Sequence, residues 1–584
     1  MLNGSSENVA EYRNPSYVRA TPKSSKRLLR ELDKLEKKKG ITSDSLRQRG
    51  LIFYNNNNID RAIFYLHKSM KKNSNLETLK ALCIIHEKNN KSSRCETLFQ
   101  KHIGDFCDSP NFWFLFGLLA AKKENWSEAI FRFNSAYERN FSPKNQNLEM
   151  LIKSLRNGEK WEKLYQISKK EIGDGNINLL TVEGFINSCF STDREKEGTE
   201  FLNTTKYDWK KNSRLIAYAA NLFYRVNNDI QELEGLNRLA LSLDPDDVKI
   251  RWNLSLSQLR MGKICEGVEN YKIRFDWEDF PSARRIFTKP RWSKDVSENS
   301  RIMIWTEQGI GDEIMFSSSI KSFSEIYPNL IFETHPKTVD IMMNSFPDVE
   351  VRPAIFNKKD FSPYIEDFEY HLPVGDLFCW MIEKNEELIK SGKSIPNTKY
   401  LKPDFLRKKY WEMKLPKENK KPNVGFCWST SNLEKENKYK GFTKIEDWRD
   451  LLIRDDCNFV SIQYNFDFED LDYELGDLRN YFVDTGFLDQ MDDLEGALAL
   501  ISNLDLVITP GSSPYTIASA CGVETWLYQN HSKFMLGRKG HFVNSPIFDN
   551  QKYYSTKSAF NDKDLVKDFN LNLDRYVADF RNQT

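Results

Sequence analysis

Arg301–Phe316 reads RIMIWTEQGIGDEIMF. Ile302–Trp305 is an unbroken apolar run, too short for a helix and suited to a strand buried on both faces. Gly309 and Gly311 then bracket a turn, and the apolar spacing that follows is helical. Strand, glycine turn and helix in that order open a βαβ unit, so this stretch predicts a parallel sheet. Glycine there allows positive φ and close approach to the backbone. Asp312 is expected at the start of the helix, beyond the carboxyl end of the strand, where open α/β sheets bind ligands.

The same alternation continues downstream. LIFETH and VEVRP predict strands around the helical KTVDIMMNSF. After Pro422 a second set follows: NVGFCW, NFVSIQY, DLVITP and ETWLYQ as strands, with DDLEGALALISNL and a segment from Pro514 as helices. Two Rossmann-like lobes are expected, 300–415 and 416–584, the second ending in a helical tail, with a cleft between them.

Upstream the period is helical. From 25 to 275 the chain predicts an α-solenoid of antiparallel helix pairs. Its clearest unit is NFWFLFGLLAAKKENWSEAIFRFNSAYERNFSP, in which Trp113, Phe116, Gly117, Ala120, Ala129, Phe133 and Ala136 alternate large and small as a tetratricopeptide repeat does. Gly158–Asn212 fits a 34-residue period poorly. Residues 1–24 are polar and expected to be disordered. A charged segment with two prolines, 276–299, is expected to link the halves. The fold class is thus α + α/β.

The 584 residues exceed what one core supports, and 40% hydrophobic residues suffice for several. A formal charge of +1 gives no field toward nucleic acid. The sequence has no leader pattern and no apolar run long enough to span a bilayer, so a cytoplasmic protein without a membrane span is expected. Its nine cysteines include no CxxC pair, so neither a disulfide framework nor a structural metal is expected.

Four segments carry candidate chemistry. Asp312 can accept a proton from an attacking hydroxyl, or it can simply cap its helix. Glu307 and Gln308, with Gly309 and Gly311, would position that loop, and Glu313 is a lesser candidate. In TPGSSPYTIASACG, Gly511, Ser512 and Ser513 precede or open a helix with Pro514 in its first turn, an arrangement suited to a diphosphate or equally to a plain capped helix. The loop CWSTSNLEKENKYKGFTK offers Ser429, Thr430 and Ser431 as donors and Lys435, Lys438 and Lys440 as positive charge. Gln463 and the acidic run Asp489, Asp492, Asp493 and Glu495 could touch a nucleoside, although an acidic helix start also follows from the dipole. No aspartate pair has the spacing that holds Mn²⁺ or Mg²⁺ in sugar transferases.

The order PRW, EQGIGDEIMF, YHLPVGDL, VGFCWSTS, VSIQY, DQMDDLEGALALISNLDLVITPGSS and ASACGVETWLY, behind repeats ending EGVENYKIRF, resembles bacterial tetratricopeptide-repeat glycosyltransferases of the GT-B fold. Their second half is similar to ADP-heptose:lipopolysaccharide heptosyltransferases. The resemblance covers roughly 110–526. It implies inverting, metal-independent transfer from a nucleotide-diphosphate sugar to a hydroxyl of a protein or glycan acceptor recognised partly by the solenoid, without a cofactor. It places Asp312 at the family's base position, on the acceptor-side lobe, and Ser429, Thr430 and Gly511–Ser513 at donor-phosphate loops. Two departures stand out. Gly511, Ser512 and Thr516 replace an Asp-Thr and histidine pattern, and lysines replace an arginine that would make a bidentate fork. These leave a non-catalytic binding scaffold as the alternative, and a nucleotide-sugar epimerase of related fold as a third reading.

Overall fold

A computed structural model describes residues 22–227, 229–356, 361–396, 398–417, 420–429, 444–464, 468–486, 488–529, 542–555 and 563–583. Most of the N-terminal stretch expected to be disordered lies outside these residues, while 22–24 already belong to the first helix, Pro22–Lys39. The chain divides into two compact units, Met1–Arg194 and Glu195–Thr584.

Paired helices fill the first unit and open the second. The leading helices of successive pairs begin at Ser43, Leu76, Pro110, Lys144, Leu179, Ser213 and Val248, 33 to 35 residues apart. The period therefore holds through 158–212, where the sequence pattern fits poorly: the element spacing persists although the consensus side chains do not. Within pairs, small residues let helices close on large ones. A Cβ on Gly117 would lie 2.6 Å from the buried ring of Phe133, and one on Gly50 would lie 2.7 Å from Leu66. Trp113, Phe116, Ala120, Ala129 and Ala136 are all buried around this join, as their alternation predicts.

The second unit holds two sheets. The first comprises β1 (Ile302–Trp305), β2 (Leu330–Thr334), β3 (Glu350–Pro353) and β4 (Tyr370–Pro373), in the order β3-β2-β1-β4 and all parallel. The second comprises β5 (Asn423–Phe426), β6 (Asn458–Ser461), β7 (Leu506–Pro510), β8 (Glu524–Gln529), β9 (Phe542–Asn544) and β10 (Gln551–Ser555), in the order β6-β5-β7-β8-β10-β9, with β9 alone antiparallel at the edge. All seven strands expected from the sequence are present. The additions, β4, β9 and β10, are short and carry polar residues, so their sequence lacks an apolar run.

The two faces of the first sheet are covered differently. Ile302, Ile304, Phe332 and Leu372 face the helices Ile310–Ser317 and Val374–Lys384 in a core that continues into the second sheet through Val460 and Val507 and into the helix Ser513–Cys521 through Ile517. Met303, Trp305 and Ile331 instead meet Phe275, Phe287 and Phe368. The segment expected as a linker thus covers a sheet face. Its backbone joins β4 through His371 N–H to the Pro290 carbonyl at 3.2 Å and Trp292 N–H to the His371 carbonyl at 2.9 Å. The terminal helix Lys563–Gln583 closes the far face of the second sheet with Phe569 and Leu573.

Candidate functional sites

The turn after β1 does not follow the glycine expectation. Gly309 has φ −91° and is the N-cap of Ile310–Ser317, and the left-handed residue is Gln308, with φ 62°. A non-glycine in that region is strained and persists where its surroundings fix it. Here the fixing contacts are explicit: Gln308 N–H donates to Ser282 Oγ at 2.6 Å, and its Nε2 donates to Tyr271 Oη at 2.5 Å. Asp312 is therefore not the N-cap. It sits in the first helical turn, half-buried.

Its two neighbouring carboxylates are committed to architecture. Glu307 is fully buried against Arg274, whose Nε donates at 2.7 Å and whose Nη2 donates to the other oxygen; Gly375 N–H adds a bond at 2.9 Å. Arg274 also reaches Asp376 at 2.7 Å, and Arg291 bonds the second oxygen of Asp376. A Cβ on Gly375 would lie 2.5 Å from Glu307 Oε1, so glycine is required beside the pair. Burial lowers the affinity of Arg274 for its proton, but Glu307 and Asp376 outweigh it and hold the guanidinium firmly charged. Glu313, also buried, accepts from the hydroxyls of Thr306, Thr334 (2.7 Å) and Thr338 (2.6 Å) and from His335 N–H (2.9 Å), tying the carboxyl ends of β1 and β2. Sequence reasoning misses Arg274, Arg291, Gly375 and Asp376, although each lies in a segment that carries the family resemblance. Partners 33 and 102 residues apart leave no local signal.

Asp312 faces a different environment. Burial pushes the phenols of Tyr271 and Tyr515 far above their usual range, and the Asp312 charge adds to the effect at both. Its helix packs against Ser513–Cys521, the helix leaving β7, and a Cβ on Gly311 would meet Ser513 Cα at 3.5 Å and Thr516 Oγ1 at 3.6 Å. The structure thus sets Gly311, next to Asp312, against Ser513 and Thr516, while a Cβ on Gly309 would meet nothing within 4 Å. Instead of an open cleft, the two helix starts are in contact, because Ile314 and Met315 of one helix share a core with Ile517 and Ala518 of the other.

The remaining donor candidates divide. Ser512 occupies the N-cap position, but its hydroxyl donates to the Pro510 carbonyl at 3.3 Å and makes no capping bond. Gly511 lies in the same bend, half-buried. Gln463 is buried and braces the end of β5. Its Oε1 accepts from Trp428 N–H and Ser429 N–H, both at 3.0 Å, and its Nε2 donates to the Ser429 carbonyl at 3.1 Å. The Ser429 hydroxyl is buried without a partner among the described residues. Thr430, Ser431, Lys435, Lys438 and Lys440 lie outside the described residues. Asp493 caps Leu494–Ile501 through Gly496 N–H at 3.0 Å, and Asp489 accepts from Met491 and Asp492 N–H, so these acids serve turns.

Two recesses among the described residues bear on binding. One, of about 200 Å³, lies between the sheets and is lined by Ile310, Ile462, Tyr464, Met491, Leu494 and Pro514, with Lys337, Gln490 and Ser513 as polar members. Lys337 forms an ion pair with Asp492. The other, of about 250 Å³, lies in the first unit among the helices Ser92–Lys101, Pro110–Lys122 and Trp126–Glu138 and is lined by Glu96, Gln100, Lys123, Asn125, Glu128 and Arg132. Arg132 is buried 3.4 Å above the ring of Phe116 and holds Glu96 at 2.5 Å and Glu128 at 3.0 Å. Burial raises the Glu96 carboxyl, but Arg132 and Lys123 outweigh it and hold it below its usual value. Among the described residues no group of histidine, cysteine and carboxylate side chains could hold a metal ion, and no helix is long and apolar enough to cross a membrane.

No protein-family model matches the chain. It is 28% identical over 287 residues to "Protein FlbA" of Caulobacter vibrioides, a match covering 47% of this chain and 47% of that one, so it spans about half the length of the curated relative it matches. Among solved structures it is similar to yeast Tom70, with a TM-score of 0.25 and 15% identity over 45% of this chain and 58% of that one. It is also similar to YrrB, described as a TPR protein with an unusual peptide-binding site, with a TM-score of 0.24 and 12% identity over 30% of this chain and 91% of that one.

Proposed function

We propose that the chain acts first as a binding protein, taking a polar peptide segment of a partner into the recess between Glu96 and Arg132. The observation that carries this reading is the lining of that recess: both charge signs and two amides, Gln100 and Asn125, supported from behind by the buried Arg132. Such a surface offers a peptide hydrogen bonds and ion pairs, while the helix pairs supply a rigid backing. Peptides selected from a displayed library on the full chain should bind wild type and lose about tenfold or more with Glu128→Lys or Lys123→Glu, as expected for removing a charge pair at an interface. Equal binding to both variants would overturn the assignment.

The second reading is glycosyl transfer, favoured by the approach of Gly311, the residue before Asp312, to Ser513 and Thr516 beyond the carboxyl ends of two parallel strands. In it the body is a GT-B fold and no metal takes part. Asp312 takes the proton of the acceptor hydroxyl as that oxygen bonds the anomeric carbon, and the anomeric bond to the nucleotide diphosphate breaks with inversion. The chain's contribution at the leaving group would come from backbone amides and hydroxyls at Gly511–Ser513 and Ser429, with Thr430, Lys438 and Lys440 as further candidates. Nucleotide sugars should then raise the melting temperature, and Asp312→Asn should keep that shift while losing transfer. Absence of any shift at millimolar nucleotide sugar would leave the binding reading alone.

A further inference from the structure

The helix Phe405–Lys414 turns its apolar residues outward. Phe405, Leu406, Tyr410 and Met413 are 68%, 74%, 50% and 79% exposed, whereas Trp411 on the opposite side is buried. At about 100° per residue, Leu406, Tyr410 and Met413 fall on one face of the helix. This reverses the usual arrangement of a surface helix, whose polar side faces water.

The charge along this stretch is predominantly positive: 404–421 carries seven lysines and arginines against Asp404, Glu412 and Glu418. Lys408, Lys409, Lys414 and Lys417 are exposed along or just beyond the helix, with Lys420 and Lys421 close behind in the chain. Asp404 is spent on the N-cap, accepting Arg407 N–H at 2.8 Å, and Glu412 is shared by Lys409 at 2.6 Å and Lys417 at 3.5 Å. Lys409 falls inside the apolar arc, beside the Phe405 ring. A protein groove that covered the arc would have to strip water from that ammonium. A bilayer surface would let its stem lie along the lipid and its head reach a phosphate.

We propose that Phe405–Lys414 is a peripheral membrane contact. It lies in the plane of an anionic bilayer surface, with Leu406, Tyr410, Met413 and Phe405 entering the boundary between headgroups and acyl chains and the lysines meeting lipid phosphates. A cluster of lysines on an amphipathic helix has the composition of such contacts, each cation near the surface adding to the attraction. The surface contact is distinct from a span, which no described helix provides.

The test is cosedimentation of the full chain with extruded vesicles of phosphatidylcholine alone and of phosphatidylcholine mixed with phosphatidylglycerol, at low and near-physiological salt. Wild type should sediment with the mixed vesicles, weaken as salt rises and stay in solution with phosphatidylcholine alone. Leu406→Ser with Met413→Ser should reduce binding by about tenfold or more, because two apolar side chains leave the interface. Both side chains are exposed, so the melting temperature of the variant should match wild type. Equal sedimentation of variant and wild type, or no sedimentation of wild type, would overturn the proposal. So would light scattering that shows a wild-type dimer and a monomeric variant, which would make the face a contact between copies.

Discussion

The recess among the helix pairs and the recess between the sheets have similar volumes, about 250 and 200 Å³, and opposite linings. The first is polar, with Glu96, Lys123, Asn125 and Glu128 at its surface and Arg132 behind. The second is largely apolar, with Ile310, Ile462, Met491 and Pro514 around a few polar groups. The supports differ in the reverse sense. Behind the polar recess stands close packing of Gly117 on Phe133, whereas behind the turn that supplies Ile310 stand buried charges, Arg274 with Glu307 and Asp376. Similar volume therefore does not imply similar use. Binding chemistry follows the lining, and tolerance to mutation follows the support.

The largest expected effect separates the supports. Arg274→Met strands Glu307 and Asp376 beside a buried face and should cost about 3–5 kcal/mol in urea unfolding. Adding Glu307→Leu should recover part of that, because an uncompensated charge costs more than a missing pair. A loss under about 1 kcal/mol in the single variant would show that the network does not hold the turn. Next, Gly117→Val forces the Phe133 ring to move and should cost about 1–3 kcal/mol. Gly104→Ala, where an added Cβ meets nothing within 4 Å, should stay within about 0.5 kcal/mol. Gln463→Leu leaves Trp428 and Ser429 N–H without their acceptor and should also cost about 1–3 kcal/mol.

A smaller effect concerns pH. Burial, with Arg291 and Arg285 nearby, pushes the imidazole of His371 down from 6.5 to about 4. The folded state accommodates the neutral ring, so this contribution is complete above pH 6.5 and is lost as pH falls toward 4. Replacing His371 with Phe, which can stack on Phe287 as the imidazole does at 3.8 Å, should flatten the dependence of the urea midpoint over that window. An unchanged slope would assign the dependence to other groups.

These effects also mark what the sequence makes legible. Strand and helix positions follow from apolar period, so IMIW, LIFET and LVITP appear where their runs stand, and the Gly117 join follows from alternating residue size. The helix pair spacing through 158–212 is not legible, because packing tolerates many side chains once helix lengths are kept. At the candidate site, the helix starts that carry Asp312 and Ser513 pack through Gly311, and each follows a strand that is legible as an apolar run. Glu307 and Gln463, however, are carboxylate and amide groups whose partners come from distant segments, and nothing local distinguishes a brace from a binding group. The same holds for Phe287 and Arg285, which make the expected linker a cover for the first sheet.

The central claim, that the polar recess among the helix pairs is the binding surface, is tested most directly by hydrogen exchange of the full chain with and without a library-selected peptide. Slowed exchange should map to amides of 92–138 and vanish in Glu128→Lys. Protection confined to 305–317 and 511–521, unchanged by that substitution, would contradict it and move the binding function to the sheets.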